Sequence, residues 1–274
     1  MTKTLIPAQR RQRIRDYLAE HQVAPIAALS QWLQVSEATV RRDLEWLENE
    51  GILERTHGGA ALSHRLPNEP AYTNSAQAHP DEKRSIGAAA AALVEDGDTL
   101  FVNSGTTTTQ VIRHLRNVKH VTVVTNNVRA ALEARGSGVE LILLGGAFRA
   151  RANSVAGRFA VEMLRQIYAT KTFIGVDGIS LKYGCTTPND SEAEIARLMI
   201  ERTRGPVIVV ADHSKWDVVS NYEIARIDQI HKLITDEGLE RLPHARAELA
   251  EHSVEVVIAR GESNGRVRAK DLAL

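Results

Sequence analysis

The sequence predicts an α/β protein in two parts: a winged helix-turn-helix domain over residues 1–62 and a larger, mostly parallel α/β domain over residues 81–260. Three observations predict it. The run Val35-Ser36-Glu37-Ala38-Thr39-Val40-Arg41-Arg42-Asp43-Leu44 places a capped helix with paired arginines directly after a short apolar helix. Beyond residue 80, seven apolar strand-like runs alternate with helical patterns. Between the two lies a polar stretch, 63–80, broken by Pro67, Pro70 and Pro80 and without periodicity, which reads as a linker or irregular connecting arm.

In the first part, Arg10, Arg11, Arg13 and Arg15 share an N-terminal helix. Ile26, Leu29 and Leu33 then form the apolar face of a second helix, and Leu33-Gln34-Val35 has the length of the turn in a helix-turn-helix. Ser36 is placed to accept a hydrogen bond from the first turn of the third helix, whose positive end suits Glu37. Val40, Leu44 and Leu47 recur at helical spacing as a buried stripe; Thr39, Arg41, Arg42 and Trp46 fall off it. The run from Ile52 to Leu62 reads as a wing, two short strands around His57-Gly58-Gly59, where glycine supplies the positive backbone angle of a tight hairpin. Ser36, Thr39, Arg41 and Arg42 are therefore the candidate DNA contacts of the helix, with Arg55 and His57 reaching a phosphate or the minor groove. Most surface arginine pairs merely solvate a helix. Here the turn spacing and the wing favour DNA.

Through Arg65 there are nine Lys or Arg against eight Asp or Glu. So weak a balance requires the positive charge to be sorted onto one face, and a single copy would hold DNA poorly, because affinity grows with each neutralised phosphate. Two or more copies are implied.

At 274 residues, 43% hydrophobic and 25% charged, the chain has room for a second domain with a sizeable core. No apolar run approaches the length of a membrane span and the first helix is charged, so neither a span nor a signal peptide is expected and the protein is placed in the cytoplasm. The lone Cys185 cannot form an internal disulfide and reads as a plain small residue rather than a redox switch. The strands expected are 99–103, 121–125, 140–144, 171–176, 207–211, 232–235 and 254–258, with a poorly ordered tail over 261–274.

In a parallel sheet, ligands bind outside the carboxyl ends of the strands. Asn103-Ser104-Gly105-Thr106-Thr107-Thr108-Thr109 follows the first strand and opens a helix, grouping N–H donors and hydroxyls around a spot suited to an anion such as phosphate. The plain alternative is a βα turn that uses Ser or Thr as a cap. Thr125-Asn126-Asn127 and Gly145-Gly146 add donors and close backbone approach at neighbouring strand ends. Asp177, Glu192 and Lys215 complete the mouth, carboxylates for sugar hydroxyls and a lysine for phosphate. Asp212-His213-Ser214 invites comparison with a hydrolase triad, but consecutive residues at a strand end point in different directions. The sequence marks no cofactor and no metal site.

The segment from Arg10 to Leu62, with Val35, Ser36, Thr39, Val40, Arg41, Arg42, Asp43 and Leu44 and then His57-Gly58-Gly59-Ala60, resembles the DeoR family of bacterial sugar-metabolism regulators. The second domain resembles the sensor domain of the same family, itself similar to ribose-5-phosphate isomerase. Its marks are Glu82-Lys83, Ser104-Gly105-Thr106-Thr107, Thr125-Asn126-Asn127, Gly145-Gly146, Gly175-Val176-Asp177-Gly178, Glu192 and Asp212-His213-Ser214-Lys215. The resemblance implies a non-enzymatic transcription factor, usually a repressor of sugar catabolism. It also implies operator DNA and a phosphorylated sugar as partners, and a homo-oligomer, dimer or tetramer. Family members often carry a lysine just before the arginine at Arg197, where this chain has Ala196, which bears on the effector's charge or orientation. The competing reading is a sugar-phosphate isomerase fused to a DNA-binding domain, with Asp177 or Glu192 as general base.

Overall fold

The computed structural model describes residues 6–21, 23–49, 52–56, 58–62, 65–66, 69–134, 136–242 and 245–261. The first unit contains α1 (Pro7–His21), β1 (Val23–Pro25), α2 (Ile26–Leu33), α3 (Glu37–Asn49), β2 (Leu53–Thr56) and β3 (Gly59–Leu62). Its core is Ile14, Leu18, Ile26, Leu29, Leu33, Val40, Leu44, Leu47 and Leu53, so the two apolar stripes expected from spacing meet. Gln34 takes a left-handed conformation (φ 55°) and ends α2. Two residues later Ser36 Oγ accepts from Thr39 N at 3.3 Å and caps α3. The strands form a three-stranded sheet in the order β1-β3-β2. Gly58 supplies a positive φ of 88°. Gly59 is required by proximity: a Cβ there would lie 2.4 Å from Ala24 O on β1, a strand too short to be read from sequence.

Asp43 is a buried acid on α3 that accepts from Arg10 Nε at 2.5 Å and Arg11 Nε at 3.2 Å. Arg11 also lies over the Trp46 ring, 4.1 Å from its centroid. These two arginines therefore fasten α1 to α3.

The arm over 63–80 is more regular than its prolines suggest. It holds β4 (Arg65–Leu66) and α4 (Tyr72–Gln77), and Pro80 is the first residue of α5 (Pro80–Ala91), where its missing N–H costs no helical bond. The larger domain continues with β5 (Thr99–Val102), α6 (Thr106–His114), β6 (Thr122–Thr125), α7 (Ala130–Glu133), β7 (Glu140–Leu143), β8 (Ala147–Arg149), β9 (Ser154–Ala156) and α8 (Arg158–Leu164). It ends with β10 (Lys171–Ile174), β11 (Gly178–Ser180), β12 (Gly184–Thr187), α9 (Asp190–Glu201), β13 (Val207–Val210), β14 (Val219–Ser220), β15 (Tyr222–Ala225), β16 (Lys232–Asp236), α10 (Ala245–Glu251) and β17 (Glu255–Ala259).

Seven strands form one parallel sheet in the order β17-β16-β13-β10-β5-β6-β7, and they are the seven runs expected from sequence. Both faces are covered, which is why these strands are continuous in Val, Ile and Leu. Ile86, Ala90, Val111 and Ile112 of α5 and α6 pack on one face with Phe173. Ala160, Leu164, Ile195, Ala196, Met199 and Leu249 of α8, α9 and α10 pack on the other with Phe101. Cys185 is fully buried on β12, and burial pushes its thiol up to about 12, which leaves it unreactive. Among the described residues no helix is long and apolar enough to cross a membrane.

The chain winds from β5 outward to β6 and β7 on one side and to β10, β13, β16 and β17 on the other. The order reverses between β5 and β10, and a crevice opens outside their carboxyl ends. Asn103 spans it: its Nδ2 donates to Gly175 O at 2.9 Å and its Oδ1 accepts from Gly175 N at 2.8 Å.

Candidate functional site

On α3, Ser36, Arg41 and Arg42 are exposed and Thr39 half-exposed, on the face opposite Val40, Leu44 and Leu47. Arg41 is paired only with the exposed Glu37, at 3.1 Å, and Arg42 has no ion pair among the described residues. Arg55 is exposed on β2. His57 lies outside the described residues. A helix face bearing two arginines with little to hold them is free to meet an acidic groove, and solvent-exposed pairs such as Arg41–Glu37 cost little to exchange.

In the larger domain, an open cavity sits at the β5–β10 crevice. Ser104, Gly105, Thr106, Thr107, Asp177, Glu192 and Lys215 line it, from four separate strand-end segments. Gly105 precedes α6, whose first N–H groups have no partner inside the helix. The hydroxyls of Thr106 and Thr107 make no hydrogen bond among the described residues, whereas Thr108 and Thr109 both donate to Gly105 O, at 3.1 and 2.6 Å. The α6 end of the cavity thus offers open N–H and O–H donors, and two lysines, Lys215 and the buried Lys83, line the same cavity. Desolvation on burial holds the Lys83 ammonium below its ordinary pKa despite Asp212 nearby.

Two acids of the lining are already hydrogen-bonded. Glu192 Oε2 accepts from Ser104 Oγ at 2.8 Å and Asn126 Nδ2 at 3.0 Å; its Oε1 accepts from Arg149 Nη1 at 2.7 Å and from Ser154 Oγ. Asp177 Oδ2 accepts from Thr187 Oγ1 at 2.8 Å. With four donors on Glu192, its lone pairs are already committed, an arrangement that orients a carboxylate but does not leave it idle as a proton acceptor.

Two expected pairs stand elsewhere. Asn126 and Asn127 are fully buried behind the cavity wall. Asn126 Oδ1 accepts from Ser104 N at 2.7 Å and Asn127 Nδ2 donates to Thr109 Oγ1 at 2.8 Å, so both hold the α6 loop in shape rather than facing the cavity. Gly145 and Gly146 do not line it because they follow β7, the edge strand two places from the crevice. Gly146 instead admits Ala156 O, 2.6 Å from where a Cβ would be. Ala196 is buried in the core and contributes nothing to the lining. Asp212, His213 and Ser214 form no triad: Ser214 Oγ donates to Asp212 at 2.5 Å, but His213 Nδ1 pairs with Asp236, 2.7 Å away.

Sequence reasoning missed the residues that the connecting arm contributes. Glu69, Pro70 and Tyr72 line the same cavity. Glu69 is gripped in a two-pronged pair by Arg149, Nη1 to Oε1 at 3.0 Å and Nη2 to Oε2 at 2.6 Å, while Arg151 Nε donates to the Glu69 carbonyl. Burial works against the Arg149 charge, but its hydrogen bonds to the carboxylates of Glu69 and Glu192 outweigh it and raise its pKa. Tyr72 OH meets Thr109 Oγ1 at 3.0 Å, and β4 adds to β14 in parallel, four residues beyond Lys215. No local pattern announces Arg149, because it lies on a three-residue strand and its partner is 80 residues away.

Fold and site define a class, a DNA-binding regulator with a separate α/β sensor domain. A family model for the DeoR-like helix-turn-helix domain matches residues 10–65, and one for the DeoR C terminal sensor domain matches residues 78–237. The HTH-type transcriptional regulator GlpR of Haloferax volcanii is 32% identical over 92% of this chain and 98% of its own length. The HTH-type transcriptional repressor GlcR of Bacillus subtilis is 35% identical over 84% of this chain and 87% of its own. A putative aga operon transcriptional repressor of Escherichia coli O157:H7 is 35% identical over 85% and 87%. The chain belongs to the DeoR family of transcriptional regulators. A ribose 5-phosphate isomerase from Methanocaldococcus jannaschii aligns over 51% of this chain and 55% of its own at 17% identity and a TM-score of 0.38, a likeness that carries nothing about function.

Proposed function

We propose that this protein is a repressor of a sugar-catabolism operon that binds operator DNA as a homo-oligomer, dimer or tetramer, and releases it when a phosphorylated sugar occupies the sensor cavity. The observation that carries the reading is that the arm leading to the DNA-binding unit forms a wall of that cavity through Glu69, Pro70 and Tyr72. The phosphate is assigned to the α6 corner, with the Thr106 and Thr107 hydroxyls and Lys215; the sugar hydroxyls are assigned to Asp177, Glu192 and Glu69. A hydroxyl that engages Glu69 or Glu192 competes with Arg149 for the same oxygens. If the arm has a second position in which Glu69 leaves Arg149, a ligand that binds the two positions unequally shifts the population between them, and so shifts DNA occupancy. Two relatives carry the word repressor in their names, which supports that sign of regulation. The near-neutral DNA-binding unit supports two or more copies.

Calorimetry with a panel of sugar phosphates and the matching free sugars tests the reading. One sugar phosphate should bind and weaken operator binding in a gel shift, and its free sugar should do little. Binding by none of them, or turnover of one, contradicts it.

A further inference from the structure

Beside the cavity, but not part of its lining, the loop after β13 and the N-terminus of α5 bring together His79, Asp212 and His213. One ligating atom from each lies within 4.8 Å of the others. The two rings meet edge to face with centroids 5.0 Å apart. The His213 ring is held by a carboxylate behind it. Asp236 accepts from His213 Nδ1 at 2.7 Å, from His213 N at 2.7 Å and from Gly238 N at 2.9 Å. Gly238 makes this seat, since a Cβ there would lie 2.3 Å from His213 Nδ1. With Nδ1 committed to Asp236, Nε2 is the ring atom left to bind something else. Asp212 is 2% exposed, and its Oδ2 makes no hydrogen bond, although Oδ1 takes both bonds from Ser214.

We infer that His79, Asp212 and His213 form a site for a divalent transition-metal cation of the zinc class, with Asp236 as the residue that orients His213. Two imidazoles and one carboxylate are a borderline ligand set that suits zinc, cobalt or nickel over magnesium or calcium, and three protein ligands leave a position for water. A carboxylate on the far nitrogen of a ligating histidine is the usual support in such sites. Bonds of about 2.0–2.1 Å place tetrahedral ligand atoms roughly 3.3 Å apart, so the site closes by a small swing of the two partly exposed rings.

The surrounding charges are mixed. Glu82 Oε1 lies 3.7 Å from His79 Nδ1, and Asp236 is adjacent; against them stand Lys83, Lys215 and, from α1, Arg15. Lys83 is the nearest cation, 3.8 Å from Asp212 Oδ2. Its ammonium donates to Ser75 O at 2.5 Å and Ala78 O at 2.6 Å, which keeps it outside hydrogen-bond reach of Asp212 and leaves Oδ2 for a metal.

The test uses the full chain, free of any polyhistidine tag and stripped with a chelator, titrated with Co2+ and followed by its visible ligand-field bands. One Co2+ per chain should bind, with band intensity typical of four or five ligands, and Zn2+ should displace it. His79→Gln and His213→Gln should each weaken binding more than tenfold, Asp236→Asn roughly 10–100-fold, and Lys83→Met should strengthen it. Circular dichroism verifies that the variants fold. No stoichiometric cobalt binding by the parent, or binding unchanged in the His79→Gln/His213→Gln double variant, overturns the site.

Discussion

The α3 face and the sensor cavity both gather charge, but they hold it differently. On α3, among the described residues Arg41 pairs only with an exposed glutamate four residues away, and Arg42 has no ion pair. In the cavity wall, Arg149 grips Glu69 and Glu192 at 2.6–3.0 Å, and all three side chains are largely shielded from solvent. The first arrangement is ready for its partner before the partner arrives. The second is satisfied internally, so a ligand that engages these oxygens, as proposed above, would displace contacts already made by Glu69, which belongs to the arm. A surface that binds DNA gains from unpaired charge; a surface that senses gains from pairs that can be exchanged.

Within the DNA-binding unit the same contrast separates Arg10 and Arg11 from Arg41 and Arg42. The former are tied to the buried Asp43, and removing that acid should do the most damage. Asp43→Ala removes the buried acid that joins Arg10 and Arg11 to α3 and should destabilise the unit by up to roughly 3 kcal/mol, because Arg11 is partly exposed. Thermal unfolding of the full chain followed by tryptophan emission checks this, since Trp32 and Trp46 lie in that unit. A melt like the parent's would mean that the pair only decorates the surface.

Arg41→Ala and Arg42→Ala should leave stability nearly unchanged and cost roughly 1–3 kcal/mol of operator affinity for a guanine-reading residue, with relaxed sequence preference; a phosphate contact would instead weaken operator and scrambled DNA alike. Gel shifts with both DNAs distinguish these cases, and parent-like affinity in both variants would remove the assigned face.

Asp98 offers a pH test of a pair that has no part in either site. Burial opposes its charge, but hydrogen bonds from Lys171 Nζ at 2.7 Å and Thr170 Oγ1 at 2.6 Å outweigh that and lower its pKa below the ordinary 3.8. A carboxyl whose folded pKa is depressed contributes stability above its unfolded value and loses it as pH falls through the folded one. Asp98→Asn should therefore be less stable than the parent at pH 7, with the gap closing below about pH 4. Urea midpoints across that range report it; a gap independent of pH would refute the assignment. The smallest effect belongs to Glu37→Gln, which breaks an exposed (i, i+4) pair and should change stability by under about 0.5 kcal/mol.

The sequence revealed most where the information is local. The α3 cap, the stripe Val40, Leu44 and Leu47, and the wing glycines sit within 25 residues of one another, and each has a short-range physical cause. The seven buried strands were legible for a related reason, because burial on both faces makes them uniformly apolar. Ser104–Thr107, Asp177, Glu192 and Lys215 followed from the rule that ligands bind at strand ends. That rule does not supply sheet order. It gave Gly145 and Gly146 the same standing as Ser104, whereas β7 lies at the sheet edge and β5 at the crevice. Arg149, Glu69 and Tyr72 were illegible because a three-residue strand and a proline-broken arm carry no period, and because Arg149 pairs with Glu69 across 80 residues and Tyr72 with Thr109 across 37.

The proposed coupling of cavity and operator through the arm is reciprocal, so it can be measured from either end. The most direct measurement is the affinity of the full chain for its sugar phosphate, by calorimetry, with and without saturating operator DNA, in the parent and in Glu69→Gln. Operator should weaken effector binding roughly 5–150-fold in the parent, and Glu69→Gln should still bind the effector but lose most of that difference. Equal effector affinity with and without operator in the parent, or undiminished coupling in Glu69→Gln, would contradict it.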